Sequence, residues 1–418
     1  MSSGVTSKTI DHSARALLSA AAVRNASRRI LALALEGALD DWAVDRTQLP
    51  PTVDFVAKVV RDRYPTLQPP VHARWRHFVF AGRDLWSEIA FSRAWESPAA
   101  AARAAFDLAI TSVLLDAGAG SGWRYRDARS DGLIAARSEG LALASLRWFE
   151  RGGLSDHPRD PLRADAAALC RVDGQAVDHA FQSTSDNPLQ GAHGRAALLN
   201  RLGRAAQERP DLFASADTPR PGGLFDALVR RASGGKLPAA AILEVLLEGL
   251  GPIWPNRPVL DGVPLGDCWP HPALRGERPI DHFVPLHKLS QWLAYSLIEP
   301  LEIAGVRVVD VGALTGLAEY RNGGLLVDLG VLVPRDPLAL SRLHDVADPF
   351  VVGWRSATVA LLDEIAPQVA TRLGFKAEEF PLARVLEGGT WAAGRIIARE
   401  KRADGGPPFQ ISSDGTVF

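Results

Sequence analysis

The stretch from Ile280 to Val333 reads IDHFVPLHKLSQWLAYSLIEPLEIAGVRVVDVGALTGLAEYRNGGLLVDLGVLV. Its first half has the period of a helix. Leu286, Leu289, Leu293 and Leu297 recur on one face. Pro285 suits a first turn, where a missing N–H loses no partner, and Pro300 is expected to stop the helix. The opposite stripe, Lys288, Gln291, Trp292, Tyr295 and Glu299, is mixed in character. A solvent face would be charged throughout, and a core face would hold no lysine. Two readings fit. The stripe lines a wet pocket, or it belongs to a surface helix whose rings pack on a neighbour while Lys288 snorkels.

The second half is punctuated by glycine. Arg307 to Val311 reads as a short strand, LTGLAEYR as a short helix, and Leu325 to Val333 as a resumed apolar run. Asn322-Gly323-Gly324 between apolar runs also fits a hairpin, which would leave Glu319 and Arg321 merely solvated. The other reading makes Glu319, Tyr320 and Arg321 chemical groups at a tight turn.

Outward from this stretch, helical patterns dominate. They cover Ala14–Leu39, Val53–Arg63, Ser97–Asp116, Ser138–Glu150, Arg163–Phe181, a segment through Arg195 and Leu202, Phe225–Arg231, Ala239–Leu250, Ala339–Val346, Val352–Leu373 and Pro381–Arg402. Strand patterns are few and short, and alternating βαβ units are absent, so the fold class is mainly α. Residues 1–12 are expected to be a disordered tail. Residues 13–418 are expected to form one compact unit, with lobes over 13–216 and 224–418. The aperiodic stretch Gly251–Pro279 leads into the opening helix and suits a lid or pocket rim.

Composition removes several function classes. The chain has 418 residues and a net charge of −1, which gives no field for nucleic acid or a membrane surface. Its mean hydropathy is −0.01 and no apolar run approaches a membrane span. Two cysteines, Cys170 and Cys268, make neither a disulfide framework nor a zinc cluster. His282/His287 and His72/His77 lie five apart, off the i, i+4 spacing of helical zinc sites. No metal and no cofactor are therefore expected. The N-terminus shows no apolar signal core, so a reducing cytoplasm is the expected compartment.

Two further stretches carry chemistry-bearing residues. Between His72 and Ser97, Trp75, Trp86 and four other rings are interleaved with Arg74, Arg83 and Asp84. These rings suit a core or a stacking platform for a planar or sugar ligand. The loop DAGAGSGWRYRD, Asp116 to Asp127, offers glycine N–H groups and the pair Arg124 and Arg126 to an anion. Its alternative is a plain flexible connection between helices. With metal sets and nucleophile elbows absent, a carboxylate helped by Lys, Tyr and Arg suits cleavage of a glycosidic bond.

The blocks VVDVGALTGLAEYRNGGLLVDLGVL, PLARVLEGGTWAAGRIIARE and ISSDGTVF resemble the uracil-catabolism URC-four/URG-three family over nearly the whole chain. That resemblance implies a place in pyrimidine degradation, on a route where a ribosylated urea arises. A remoter resemblance is to the queuosine 5′-phosphate N-glycosidase family, a helical fold related to DNA glycosylases. Lys288-x-x-Gln291 followed by Ala318-Glu319-Tyr320-Arg321 is similar to that family's Lys-x-x-Gln helix and Ala-Asp-Tyr-Arg segment, and Asp186–Asn200 is similar to a third block. The resemblance puts the catalytic carboxylate on Glu319 and the assisting lysine on Lys288. The departure is Glu for Asp, one methylene longer.

Together these readings imply an N-ribosyl hydrolase that takes ribosylurea or its 5-phosphate to urea and ribose or ribose phosphate. Glu319 would stabilise the oxocarbenium and activate water, with Lys288 orienting it or neutralising charge. Trp75, Trp86 and Tyr320 would wall the pocket, and Arg124 and Arg126 would hold a sugar phosphate. Asp84, Asp281, His287, Asp310 and Arg321 complete the expected substrate-binding set. The alternatives are a non-catalytic scaffold associated with other uracil-catabolism enzymes, or an amidohydrolase acting on the urea moiety.

Overall fold

A computed structural model describes residues 13–120, 122–214 and 218–412. The expected tail over 1–12 lies outside the described residues. The helices in chain order are α1 (Ala20–Leu35), α2 (Leu49–Arg63), α3 (Leu85–Phe91), α4 (Pro98–Leu114), α5 (Arg137–Glu150), α6 (Ala166–Leu169), α7 (Gly174–Ala180) and α8 (Ala192–Glu208). They continue with α9 (Pro210–Phe213), α10 (Gly223–Arg231), α11 (Ala239–Leu250), α12 (Lys288–Ile303), α13 (Tyr320–Asp328), α14 (Pro349–Leu373), α15 (Leu382–Val385) and α16 (Trp391–Lys401). Every named sheet among the described residues is a two-stranded ribbon. The fold is mainly α, as its periodicity implies.

The helix starts have local causes. Ser97 accepts the Ala100 N–H at 3.2 Å and Pro98 follows it, so α4 begins where that pair sets it. Asp84 caps α3 and Asp173 caps α7 in the same way. No helix among the described residues is long and apolar enough to cross a membrane.

Two apolar cores meet near the middle of the molecule. One draws on α4, α5, α8, α11 and α12; the other on α1, α2, α13, α14 and α16. Leu317 belongs to the first and its neighbour Ala318 to the second, so the segment before α13 crosses the seam.

Helix α12 differs from its expected form at both ends. Pro285 lies in the strand Phe283–Pro285, which pairs antiparallel with Cys268–Pro270. The helix starts three residues later because Asp267 takes the free donors. Its carbonyl accepts the Leu286 and His287 N–H groups, and its carboxylate accepts the Lys288 N–H at 3.0 Å. Pro300 does not stop the helix, which runs on to Ile303. A proline deprives the carbonyl four residues back of its partner. Here that carbonyl, on Ser296, accepts the Trp75 indole N–H at 2.6 Å instead.

The mixed stripe is neither face of a surface helix. Lys288, Gln291, Trp292 and Tyr295 are all buried, as is the leucine face except half-buried Leu289. A helix covered nearly all round sits inside the molecule, here against α4 and α11.

The glycine-rich turn is also different. LTGLAE is not helical, and the helix begins only at Tyr320, with Asn322-Gly323-Gly324 inside it. Gly323 is there for close approach: a Cβ would overlap the Trp354 indole on α14. Gly394 on α16 lies so close to the Arg321 carbonyl that a Cβ has no room. Small residues on two helices thus give tight helix packing, and the hairpin alternative does not form. The strand Arg307–Val309 forms, parallel to Lys236–Pro238.

Candidate active site

Glu319 is the N-cap of α13. Its two carboxylate oxygens accept the Arg321 and Asn322 N–H groups, both at 2.7 Å. The helix start therefore aims positive partial charge at this carboxylate. It is 5% exposed, and it lines a cavity of about 350 Å³ at the seam of the two cores.

Lys288 opens α12 and lines the same cavity. Burial lowers its ammonium pKa, against the pull of the Glu319 and Asp116 charges. Its Nζ lies 5.6 Å from the Trp292 ring centroid, one turn further along the same helix.

Asp116 ends the segment after α4 and contributes a second carboxylate. One oxygen, Oδ2, meets Arg74 Nη1 at 3.2 Å and the Ser138 hydroxyl at 3.1 Å. The other, Oδ1, is buried and has no hydrogen-bond partner. Burial pushes this carboxyl up, against the charges of Arg74 and Lys288.

Aromatic rings form part of the lining. Trp292 stacks on His72 at 6.1 Å and stands edge-on to His77 at 5.6 Å, and Trp391 meets both histidines. His72 Nδ1 is 2.7 Å from Glu387, which sits in a π-helical stretch, Leu386–Thr390, leading into α16. Burial opposes ionisation of Glu387, but the His72 hydrogen bond and charge outweigh it and hold the carboxyl at about 2. Burial, with the Arg74 charge, pushes the His77 pKa well below its ordinary value.

A buried ion pair behind the cavity ties these parts together. Arg355 on α14 forks onto Asp267 at 2.8 and 2.7 Å, and its Nε donates to the Ala318 carbonyl at 3.1 Å. Asp267 in turn caps Lys288. Despite burial, Arg355 holds Asp267 far below the usual carboxylate range. One guanidinium thus spans the start of α12 and the residue before Glu319. The aperiodic stretch Gly251–Pro279, read as a rim, supplies this anchor through Asp267.

Of the residues singled out from sequence, Glu319, Lys288, Tyr320 and Arg321 line this one cavity. The others lie elsewhere. Trp75, Asp84 and Trp86 line a separate cavity of about 320 Å³ between α3, α4 and the end of α12. Arg124 donates to the Trp123 carbonyl at 2.7 Å and Arg126 to that of Gly132 at 2.8 Å, so both brace the ribbon Tyr125–Asp127 with Leu133–Ala135. Gly118 and Gly120 of the same loop do line the main cavity, as do the guanidinium-bearing Arg137, Arg321 and Arg395. Asp281 pairs with Arg278 at 2.6 Å. His287 has positive φ and its Nε2 lies 3.0 Å from the Leu17 carbonyl, behind the helix start. Asp310 is exposed. Among the described residues no three His, Cys, Asp or Glu side chains converge to hold a metal ion.

Sequence reasoning passed over Asp116 and Arg355 as site residues. Arg355 had one local signal: it is a lone charge in the apolar run of α14.

Residues 16–418 match the model of a protein family of unknown function, DUF1688. The chain belongs to that family. It is 37% identical to protein urg3 of Schizosaccharomyces pombe, covering 96% of this chain and 98% of that protein. It is 34% identical to uracil catabolism protein 4 of Lachancea kluyveri, covering 98% of this chain and all of that protein. These relatives are the URC-four/URG-three proteins that the sequence blocks resemble. A shorter match, 26% identical over 40% of this chain, is to histidine ammonia-lyase of Alkaliphilus oremlandii.

Proposed function

We propose that this protein acts in uracil catabolism as a metal-independent N-ribosyl hydrolase, with ribosylurea or its 5-phosphate as substrate. The pathway comes from the relative named as a uracil catabolism protein. The reaction rests on one observation above the rest: a helix-capping Glu319 and the buried Lys288 line one cavity that also carries aromatic rings.

In this reading the anomeric carbon sits against the Glu319 carboxylate. The C–N bond breaks with its electron pair going to the leaving nitrogen, which takes a proton from the Lys288 ammonium. A lysine whose burial lowers its pKa gives up a proton more readily than a solvated one. The oxocarbenium is stabilised by Glu319, and water adds to it, losing a proton to the same carboxylate. Exchange of both protons with solvent resets the pair. Both Glu319 oxygens retain a lone pair for this after capping α13.

Purified protein incubated with N-ribosylurea and its 5-phosphate is expected to release urea and free sugar in equal amounts. Ammonia without sugar would establish the amidohydrolase alternative. No product from either compound would favour a scaffold.

A further inference from the structure

The reaction above leaves one built feature of the cavity unused. His72 and Glu387 form a buried pair, 4% and 5% exposed, joined from Nδ1 to Oε2 at 2.7 Å. Glu387 is fixed from behind. The Tyr64 hydroxyl donates to its Oε1 at 3.2 Å, and Arg63 donates to its backbone carbonyl at 2.9 Å. The π-helical turn that carries it is pinned to α2, where a Cβ on Gly389 would overlap the Val56 side chain. Such turns recur at functional sites.

The imidazole is equally constrained. The His72 backbone N–H donates to the Ala383 carbonyl at 3.1 Å. The Trp292 ring stacks on the imidazole and the Trp391 ring lies tilted against it, with centroids at 6.1 and 5.8 Å. An ionised Glu387 needs the ring proton on Nδ1, which leaves the lone pair of the neutral ring on Nε2. Nε2 has no hydrogen-bond partner among the described residues, and it is not one of the unpartnered atoms sealed from open space. His72 lines the cavity that Glu319 and Lys288 also line. His77 lines it too, but burial and the Arg74 charge push its pKa well below the ordinary value, which makes it the weaker base.

From this arrangement we infer that His72 is a further catalytic residue, the general base that takes the proton of the attacking water and so relieves Glu319 of that step, with Glu387 as its positioning residue. Both Glu319 oxygens already accept backbone N–H groups at 2.7 Å, and such hydrogen bonds weaken a carboxylate as a base. The water oxygen bonds to the anomeric carbon as its O–H bond breaks. The proton goes to Nε2, and the Glu387 charge stabilises the imidazolium so formed. Loss of that proton to solvent restores the ring. This role deepens the hydrolase reading and rests on it for the substrate.

The test is kcat and KM for sugar release from N-ribosylurea, with melting monitored. His72→Gln keeps a donor for Glu387 but has no basic nitrogen, and His72→Ala removes the ring. Each is expected to lose about a hundredfold or more in kcat, within the usual span of a general base, with KM little changed. Imidazole added to His72→Ala should restore part of the rate. Pyrazole, of the same shape but nearly non-basic, should not. Glu387→Gln should lower kcat about tenfold or more at unchanged KM. A folded His72→Gln with parental kcat overturns the base role and leaves hydrolysis standing. Equal rescue by imidazole and pyrazole also overturns it, because the ring then only fills space. Where melting shows that the His72 variants have not folded, Glu387→Gln decides, and an unchanged kcat overturns the role. A parent that releases no sugar overturns the hydrolase reading and this role with it.

Discussion

Replacement of Glu319 by Gln tests the centre of the proposed chemistry and is expected to do two things at once. The first is electrostatic. In the proposed reaction the carboxylate stabilises the developing positive charge, so its neutralisation is expected to cost roughly a hundredfold or more in kcat, on the order of 3 kcal/mol. The second is structural. Glu319 caps α13 through both oxygens, at 2.7 Å each. An amide offers one acceptor, so its NH2 group must face either the Arg321 or the Asn322 N–H. Loss of half the cap is expected to cost about 1 kcal/mol of stability. Asp separates the two effects. It is a strong N-cap and keeps the charge, but its carboxylate sits one methylene further from the sugar. Glu319→Asp should therefore melt like the parent and retain partial activity, while Glu319→Gln melts slightly lower and loses nearly all turnover. Melting by circular dichroism and sugar release at saturating N-ribosylurea measure both. A Gln variant that turns over at the parental rate would remove Glu319 from the mechanism. An Asp variant as inactive as Gln would show that placement, not charge, limits the rate.

Three further outcomes follow from specific contacts. Gly394→Ala places a methyl against the Arg321 carbonyl; it is expected to destabilise by about 1–3 kcal/mol in a denaturant titration and to lower kcat by displacing the α13 start. Gly374→Ala, with open space around it but positive φ, serves as a control that changes stability without touching the site. His77, His271 and His287 all have pKa values pushed below 6.5 by burial. The unfolded chain therefore binds protons that the native state refuses, so stability present above about pH 6.5 is lost as pH falls, by up to about 1.4 kcal/mol per pH unit per group; urea midpoints at pH 7.5 and 5.5 measure this, and His77→Asn should flatten the slope. Arg124→Ala and Arg126→Ala remove guanidinium groups that brace a ribbon outside the cavity; KM for the phosphorylated substrate should stay near the parental value, and a large rise would return these arginines to the site.

Much was legible in the chain itself. Helical periodicity gave the fold class because it records, residue by residue, which face avoids water. Ser97-Pro98 marked the start of α4, since a cap and an N-terminal proline act within one turn. The quoted blocks carried the family, and the segments holding Lys288 and Glu319, singled out separately, come to line one cavity. What they did not carry was the other half of each contact. The stripe of α12 read as mixed because its neighbours on α4, α11 and the seam segment are distant in sequence. Asn322-Gly323-Gly324 read as a turn because a local rule assigns glycine to turns, whereas here Trp354 and α16 require the missing Cβ. Trp75 and Trp86 looked like walls of the Glu319 pocket, yet they line a separate cavity. Arg355 reaches Asp267 across 88 residues and Ala318 across 37. Asp116 and Trp292 come to line one cavity only when α4 and α12 pack side by side. Local pattern determines which segments coil and where they begin; which polar atoms face each other is decided when the helices meet, because hydrogen bonds depend on ångström-scale geometry that one-dimensional spacing does not encode.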